Sequence, residues 1–206
     1  MTKSCNYNSN AYHVEQLVLI AKRNTCIHEA GHAVAAIAVG ASGVKAVIEK
    51  NEDAAPDQKV WGGYAQCDNS PLSKAREAVI GISGVMANWY ADLGSDRCFW
   101  YEMCDDFVHL VDDGWCVPSA TDYEALGASW AEHGYKIASM AGKILSKHWQ
   151  AVESTALWLS SKEFIMDGQI RMLMMDPGVD LETIPFEALP KSPEVIAFEK
   201  SLSLCA

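Results

Sequence analysis

The most constraining feature of the chain is an apolar segment, residues 25–39 (TCIHEAGHAVAAIAV), that carries two histidines and a glutamate. Its apolar residues recur at the spacing of a buried helix. Burying His28, Glu29 and His32 costs free energy unless a metal ion or other partners satisfy these side chains. The segment therefore predicts a buried helix that carries a polar site.

The spacing of the two histidines suits a metal site. Residues four apart lie on one face of a helix, with Cβ atoms about 5–6 Å apart, so His28 and His32 can converge on one Zn²⁺ ion. Glu29 follows the first histidine and can act as general base towards a water molecule that zinc has acidified. The alternative is a chance match in which the histidines are merely packed or solvated. The apolar surroundings favour the metal site.

Composition narrows the class of protein. The 206 residues include 27 acidic and 16 basic side chains, which gives a formal charge of −11. This balance argues against nucleic acid as a partner, because phosphate backbones attract clustered Lys and Arg. The seven cysteines form no Cys-x-x-Cys pair, which argues against a disulfide framework. With no recognisable signal peptide or membrane-spanning run, we expect a soluble, cytoplasmic protein with no membrane contact.

Most of the chain is predicted to be helical. Apolar periodicity and helix start and stop signals mark residues 12–22, 25–39, 70–93, 121–162 and 169–175. Asn24 or Thr25 is expected to cap the helix that carries the histidines. A break is expected near Gly134, and a turn at residues 167–168.

A smaller part of the chain has strand character. Residues 44–48 and 59–66 flank a polar loop, which predicts a β-hairpin or small sheet. Residues 94–119 are rich in Asp, aromatic residues and Cys, and we expect a loop there, with one helical turn near residues 105–111. The predicted fold class is therefore α+β, mostly α.

Beyond the motif itself, residues 25–39 resemble the catalytic helix of the FtsH-type zinc peptidases, in which the sequence HEAGHA is characteristic. Residues 44–64 are similar to the strand–loop–strand that follows this helix in the family. Residues 80–87 (IGISGVMA) resemble its glycine-containing helix, and residues 144–170 resemble its closing region. The likeness covers about residues 25–174.

This resemblance implies a mostly helical peptidase domain with an aspartate as the third zinc ligand. In the family this aspartate begins a helix and follows small residues, and residues 119–125 (SATDYEA) fit that pattern best, which nominates Asp122. Asp105 and Asp106 are the alternatives. An aspartate is also favoured in the first turn of any helix, so Asp122 has a purely local explanation as well.

Two departures from the family pattern bear on function. Asn88 stands where the family usually has Glu, and the sequence contains no Gly-x-x-x-x-Gly-Lys-[Ser/Thr] motif for ATP. We therefore expect a zinc metallopeptidase without an ATPase of its own that cleaves unfolded or flexible polypeptides. A homo-oligomer or an external unfoldase is a further expectation. The alternative function is a non-catalytic metal-binding or adaptor protein on a peptidase scaffold.

The predicted division of the chain has three parts. Residues 1–24 are expected to form a helical lead-in, residues 25–176 the zinc peptidase domain, and residues 177–206 an extended, proline-containing tail. The site residues expected within the domain are Glu29 as catalytic base, and His28, His32 and Asp122 as metal ligands.

Overall fold

The computed structural model describes residues 9–54, 60–68, 72–93 and 104–181. The helices are α1 (Ser9–Ala38), α2 (Lys74–Leu93), α3 (Cys104–Asp112), α4 (Ala120–Lys162) and α5 (Asp167–Met175). The strands are β1 (Ser42–Lys50), β2 (Trp61–Asp68) and β3 (Phe164–Met166). Helices dominate and one small sheet accompanies them, so the prediction of an α+β fold that is mostly α is confirmed.

The sheet has the order β2-β1-β3, with antiparallel neighbours throughout. Alternate residues of β1 are buried, namely Ser42, Val44, Ala46 and Ile48. A strand with one covered face requires this alternation, and α1 packs on β1 and β2. The predicted hairpin is confirmed. The third strand was not predicted, because three residues are too few to show a period of two.

α1 is one continuous helix of 30 residues, so the predicted helix start at Asn24 or Thr25 is wrong. The Thr25 hydroxyl donates a hydrogen bond to the carbonyl oxygen of Ala21, one turn earlier, at 3.0 Å. A hydroxyl engaged in this way fits inside a helix and is not available as a cap. No proline or glycine occurs between Ser9 and Ala30, so no residue type that breaks helices interrupts this stretch.

The later helices differ in detail from the prediction. α3 is a full helix where a single turn was expected. α4 leaves helical geometry at His133, next to the predicted break, and also at Gly127 and His148, which were not predicted. The turn predicted at residues 167–168 is wrong, because α5 begins at Asp167. The Asp167 carboxylate accepts a hydrogen bond from the Val44 backbone N–H at 3.2 Å, which fixes this helix start against β1.

The core is formed where α1, α2 and α4 pack against one another and against the sheet. Its largest fully buried side chains include Val34 on α1, Met86 and Tyr90 on α2, and Leu145 and Leu159 on α4. These residues exclude water from the interior, so the polar groups that share it must satisfy one another.

Two glycines allow the three helices to approach closely. A Cβ atom at Gly31 of α1 would lie 2.6 Å from the Ala87 Cβ and 2.7 Å from the Ser83 carbonyl oxygen of α2. A Cβ atom at Gly81 of α2 would lie 2.8 Å from the Ala125 Cβ of α4. Any side chain at these two positions would therefore push the helices apart.

Some predictions fall on residues outside the described ranges. The predicted helix start at residues 70–71 and the tail after residue 181 lie there. The division into lead-in, domain and tail stays a prediction, and α1 runs across its first boundary. None of the helices in the described ranges combines the length and apolar character needed to cross a bilayer.

We expect the substitution Gly31→Ala to lower the free energy of unfolding by about 1–3 kcal/mol, because the added methyl group overlaps α2. Urea denaturation of the purified protein measures this loss. Gly134→Ala is the matched control in a helix, since its Cβ would meet the Trp130 ring at an ordinary 3.4 Å. If Gly31→Ala and Gly134→Ala were equally stable, the close contact between α1 and α2 at Gly31 would be contradicted.

Candidate metal centre

The two histidines of the motif lie one turn apart on α1, between the buried core and the surface cleft that His28 lines. Their Nε2 atoms are 3.0 Å apart, and their rings meet edge to face. His32 is buried at 6 % exposure, whereas His28 is half-buried. The apolar residues around them on α1 hold this face of the helix against α2 and α4. The sequence therefore places two imidazoles side by side in a region of low polarity.

Asp122 reaches the histidines from the first turn of α4. Ser119 caps this helix: its hydroxyl oxygen accepts a hydrogen bond from the Asp122 backbone N–H at 3.2 Å, and its own backbone N–H donates to Asp122 Oδ2 at 3.1 Å. The Ser119 hydroxyl also donates to Oδ2, at 2.7 Å. This reciprocal capping orients the carboxylate as well as starting the helix.

The three side chains form a compact group of potential metal ligands. Asp122 Oδ1 lies 3.2 Å from His32 Nε2, and Asp122 Oδ2 lies 3.4 Å from His28 Nε2. A tetrahedral metal ion with bonds of about 2.0–2.1 Å separates its ligand atoms by about 3.3 Å. The observed distances match this separation, so two imidazoles and one carboxylate here fit a divalent metal ion.

A backbone carbonyl group sets the orientation of the His32 ring. His32 Nδ1 donates a hydrogen bond to the Ile80 carbonyl oxygen of α2, at 2.7 Å. With the proton on Nδ1, the lone pair of the neutral ring lies on Nε2 and points towards His28 and Asp122. Metal-binding histidines usually have a partner of this kind, because it fixes both the tautomer and the ring position.

Gly84 provides the space that the His32 ring occupies. A Cβ atom at this position would overlap the imidazole, with Nε2 as its nearest atom. His32 can therefore lie flat against α2 only because residue 84 has no side chain. A side chain at residue 84 would therefore displace the ring from the ligand group.

The electrostatics of the group favour a positive charge between its members. Burial alone would raise the pKa of Asp122, but contacts with His28 and His32 and the Ser119 hydroxyl lower it well below its usual value. Burial would lower the pKa of His32, yet contact with the Asp122 carboxylate raises it overall. The carboxylate is therefore ionised, and a proton or a metal ion can provide the complementary charge.

Glu29 lies beside this group but does not belong to it. It is only 4 % exposed, and β2 passes directly over its side chain. A Cβ atom at Gly63 of β2 would lie 2.7 Å from Glu29 Cγ and 2.9 Å from Oε1. The absence of a side chain at Gly63 therefore leaves the carboxylate room next to the strand.

A cleft of ≈ 180 Å³ gives access to the site. The residues that line it are Ala21, Asn24, Thr25, His28, Glu29 and Asn88. The side chain of His28 is 19 % exposed, against 7 % for His32, so the group is approached from the His28 side. The cleft brings potential ligand, candidate base and solvent together in one place.

The structure brings together all the nominated site residues. His28, His32 and Asp122 form the potential ligand group, and Glu29 lies next to it. The alternatives Asp105 and Asp106 are exposed on the first turn of α3, outside this group. That the group binds a metal ion stays a prediction.

Three contributors to the site were not predicted from the sequence. The Ser-x-x-Asp pattern at residues 119–122 is typical of a capped helix start, so Ser119 has a recognisable signal. Gly84 has only a weak sequence signal, because glycines occur in helices for many reasons. Ile80 has none, since it acts through its backbone carbonyl group, which every residue possesses.

We expect Gly84→Ala to weaken zinc binding by about tenfold or more, because the methyl group forces the His32 ring from its position. Competition with a chromophoric chelator measures the affinity. Gly62→Ala is the control, since its Cβ would meet nothing within 4 Å. If folded Gly84→Ala protein bound zinc as tightly as wild type, the proposed position of His32 as a ligand would be contradicted.

Comparison with models of known protein families finds no match, and no curated protein matches the chain significantly. The likeness to FtsH-type peptidases therefore stays a resemblance. The function has to be argued from the chemistry of the site.

Proposed function

We propose that this chain is a zinc-dependent metallopeptidase that hydrolyses unfolded or flexible polypeptides. His28, His32 and Asp122 hold the zinc ion, and Glu29 is the general base. One observation carries the proposal: ligand atoms of His28, His32 and Asp122 lie within 4.8 Å of one another, with the buried Glu29 carboxylate beside them in an accessible cleft. A purely structural zinc site does not require an additional carboxylate such as that of Glu29 beside its ligands.

The donor set supports zinc as the metal. Two imidazoles and one carboxylate are typical of catalytic zinc sites, which leave one coordination position open, whereas calcium and magnesium prefer oxygen ligands. When bound, zinc supplies Lewis acidity, which makes water a nucleophile near neutral pH and polarises a carbonyl group. The hydrogen bonds from Ser119 and to Ile80 hold Asp122 and His32 in place before any metal arrives.

Glu29 supplies the proton transfers of peptide hydrolysis. Its carboxylate accepts a proton from the attacking water and then donates it to the nitrogen of the leaving amine. Both transfers need a group that lies near the ligands without being one of them. The position of Glu29 in the cleft, next to His28 and under β2, meets this requirement.

The shape of the site favours flexible substrates. The cleft is small, and a folded protein cannot insert a peptide bond into it without local unfolding. These 206 residues contain no P-loop motif, so the proposed hydrolysis uses no ATP of its own. An external unfoldase or a homo-oligomer that gathers flexible chains is consistent with this chemistry.

The arrangement of elements supports an FtsH-like scaffold. The motif helix α1 is followed by an antiparallel hairpin, then by the glycine-containing helix α2, and the candidate aspartate begins a later helix, α4. The alternative, a non-catalytic metal-binding or adaptor protein, explains the ligands but assigns no role to Glu29. The peptidase proposal uses all four polar groups.

We expect Glu29→Gln to lower the cleavage rate of zinc-loaded protein on an unfolded substrate by about 10²–10⁴-fold while zinc stays bound. The amide keeps the size of the side chain but cannot accept the proton. Release of soluble fragments from fluorescein-labelled casein measures cleavage, and mass spectrometry measures zinc content.

Glu132→Gln is the matched control, because the same change falls on a side chain that is 81 % exposed. It is expected to cleave casein at the wild-type rate. If zinc-loaded wild-type protein cleaves no unfolded substrate, or Glu29→Gln cleaves as fast as wild type, the peptidase proposal fails and the adaptor alternative gains support.

A further inference from the structure

Asn88 lies at the mouth of the metal centre on α2. His32 of α1 contacts Ile80 and Gly84 of α2, and Gly31 approaches Ala87. One residue beyond Ala87, Asn88 is level with His28, and both line the cleft. Asn88 thus borders the same small volume as His28 and Glu29.

The Asn88 side chain has an unsatisfied polar atom. Its Oδ1 is buried and has no hydrogen-bond partner among the described residues. An unpaired buried carbonyl oxygen costs free energy, and native proteins rarely retain one without a reason. A leucine of nearly the same shape would fill the position without that cost. Asn88 also lines the cleft, so a molecule that binds there can pair with this amide once the side chain turns towards it.

We propose that Asn88 anchors the main chain of a bound polypeptide next to the metal centre. The proposal rests on the peptidase function proposed above and adds a substrate-binding residue to it. A carboxamide has an N–H donor and a C=O acceptor, which are the two groups that a peptide unit offers in return. Asn88 can therefore hold any extended chain, whatever its side chains.

The lining of the cleft supports a main-chain partner. Among the described residues, the lining comprises small and polar side chains and one carboxylate, that of Glu29, but no Lys or Arg that would select an acidic ligand. The described lining residues also include no large apolar side chain that would select a hydrophobic residue. Peptide groups, which are neutral and present in every polypeptide, fit this surface best.

The test uses zinc-loaded Glu29→Gln protein, so that a polypeptide binds without being cleaved. The affinity for fluorescein-labelled β-casein, a disordered protein, is measured by fluorescence anisotropy with and without the added substitution Asn88→Leu. Gln150→Ala, which removes an exposed amide on α4, is the matched control. Melting temperature and zinc content are recorded for every variant.

We expect Asn88→Leu to bind casein about tenfold more weakly, with unchanged zinc content and an equal or higher melting temperature. Weaker binding and an unchanged or higher melting temperature are needed together. If Asn88 served only packing or stability, its substitution would lower the melting temperature and leave casein binding unchanged. Casein affinity equal to that of Gln150→Ala would overturn the proposal.

Cleavage assays with Glu29 intact separate this proposal from the peptidase proposal. If wild type cleaves casein and Asn88→Leu raises KM about tenfold with little change in kcat, both proposals are supported. If wild type cleaves casein and Asn88→Leu has the same KM, only the role of Asn88 fails. If wild type does not cleave casein and the Glu29→Gln protein does not bind it, both proposals fail.

Discussion

The close contact between α1 and α2 is the constraint on which the rest of the structure depends. Gly31 lets the helices touch, and Gly84 leaves the space that the His32 ring fills. The same contact brings the Ile80 carbonyl group within 2.7 Å of His32, which fixes the ring. Gly81, on the neighbouring face of α2, allows α4 to approach and present Asp122. Glycines without chemistry of their own thus determine where the chemical groups meet.

Placing four ionisable groups in an apolar core requires mutual compensation. The Asp122 carboxylate, with its pKa held low, faces the two imidazoles, and the Ser119 cap satisfies one of its oxygens. Two Nε2 atoms 3.0 Å apart repel each other unless a proton or a metal ion lies between them. A proton or a metal ion bound between them would relieve several unfavourable contacts at once.

The sequence predicted which side chains lie together at the site better than it predicted the elements around them. The spacing of His28, Glu29 and His32 determines how these side chains lie relative to one another, because residues four apart on a helix share a face. Asp122, 90 residues after His32, was reached only through a resemblance and a helix-start pattern, since no local rule predicts a contact between distant elements. The same limit applies to β3, which forms only by pairing with β1, and to α1, whose continuity through Thr25 depends on a hydrogen bond to Ala21.

The most direct test of the account is native mass spectrometry of the purified protein after reconstitution with zinc and removal of excess metal. Wild type is compared with Asp122→Ala and with Asp105→Ala, an aspartate outside the group. A zinc centre at His28, His32 and Asp122 implies one zinc ion per chain in wild type and Asp105→Ala, and little or none in Asp122→Ala. A wild-type protein that binds no zinc, or an Asp122→Ala protein that keeps it as tightly as wild type, would contradict it.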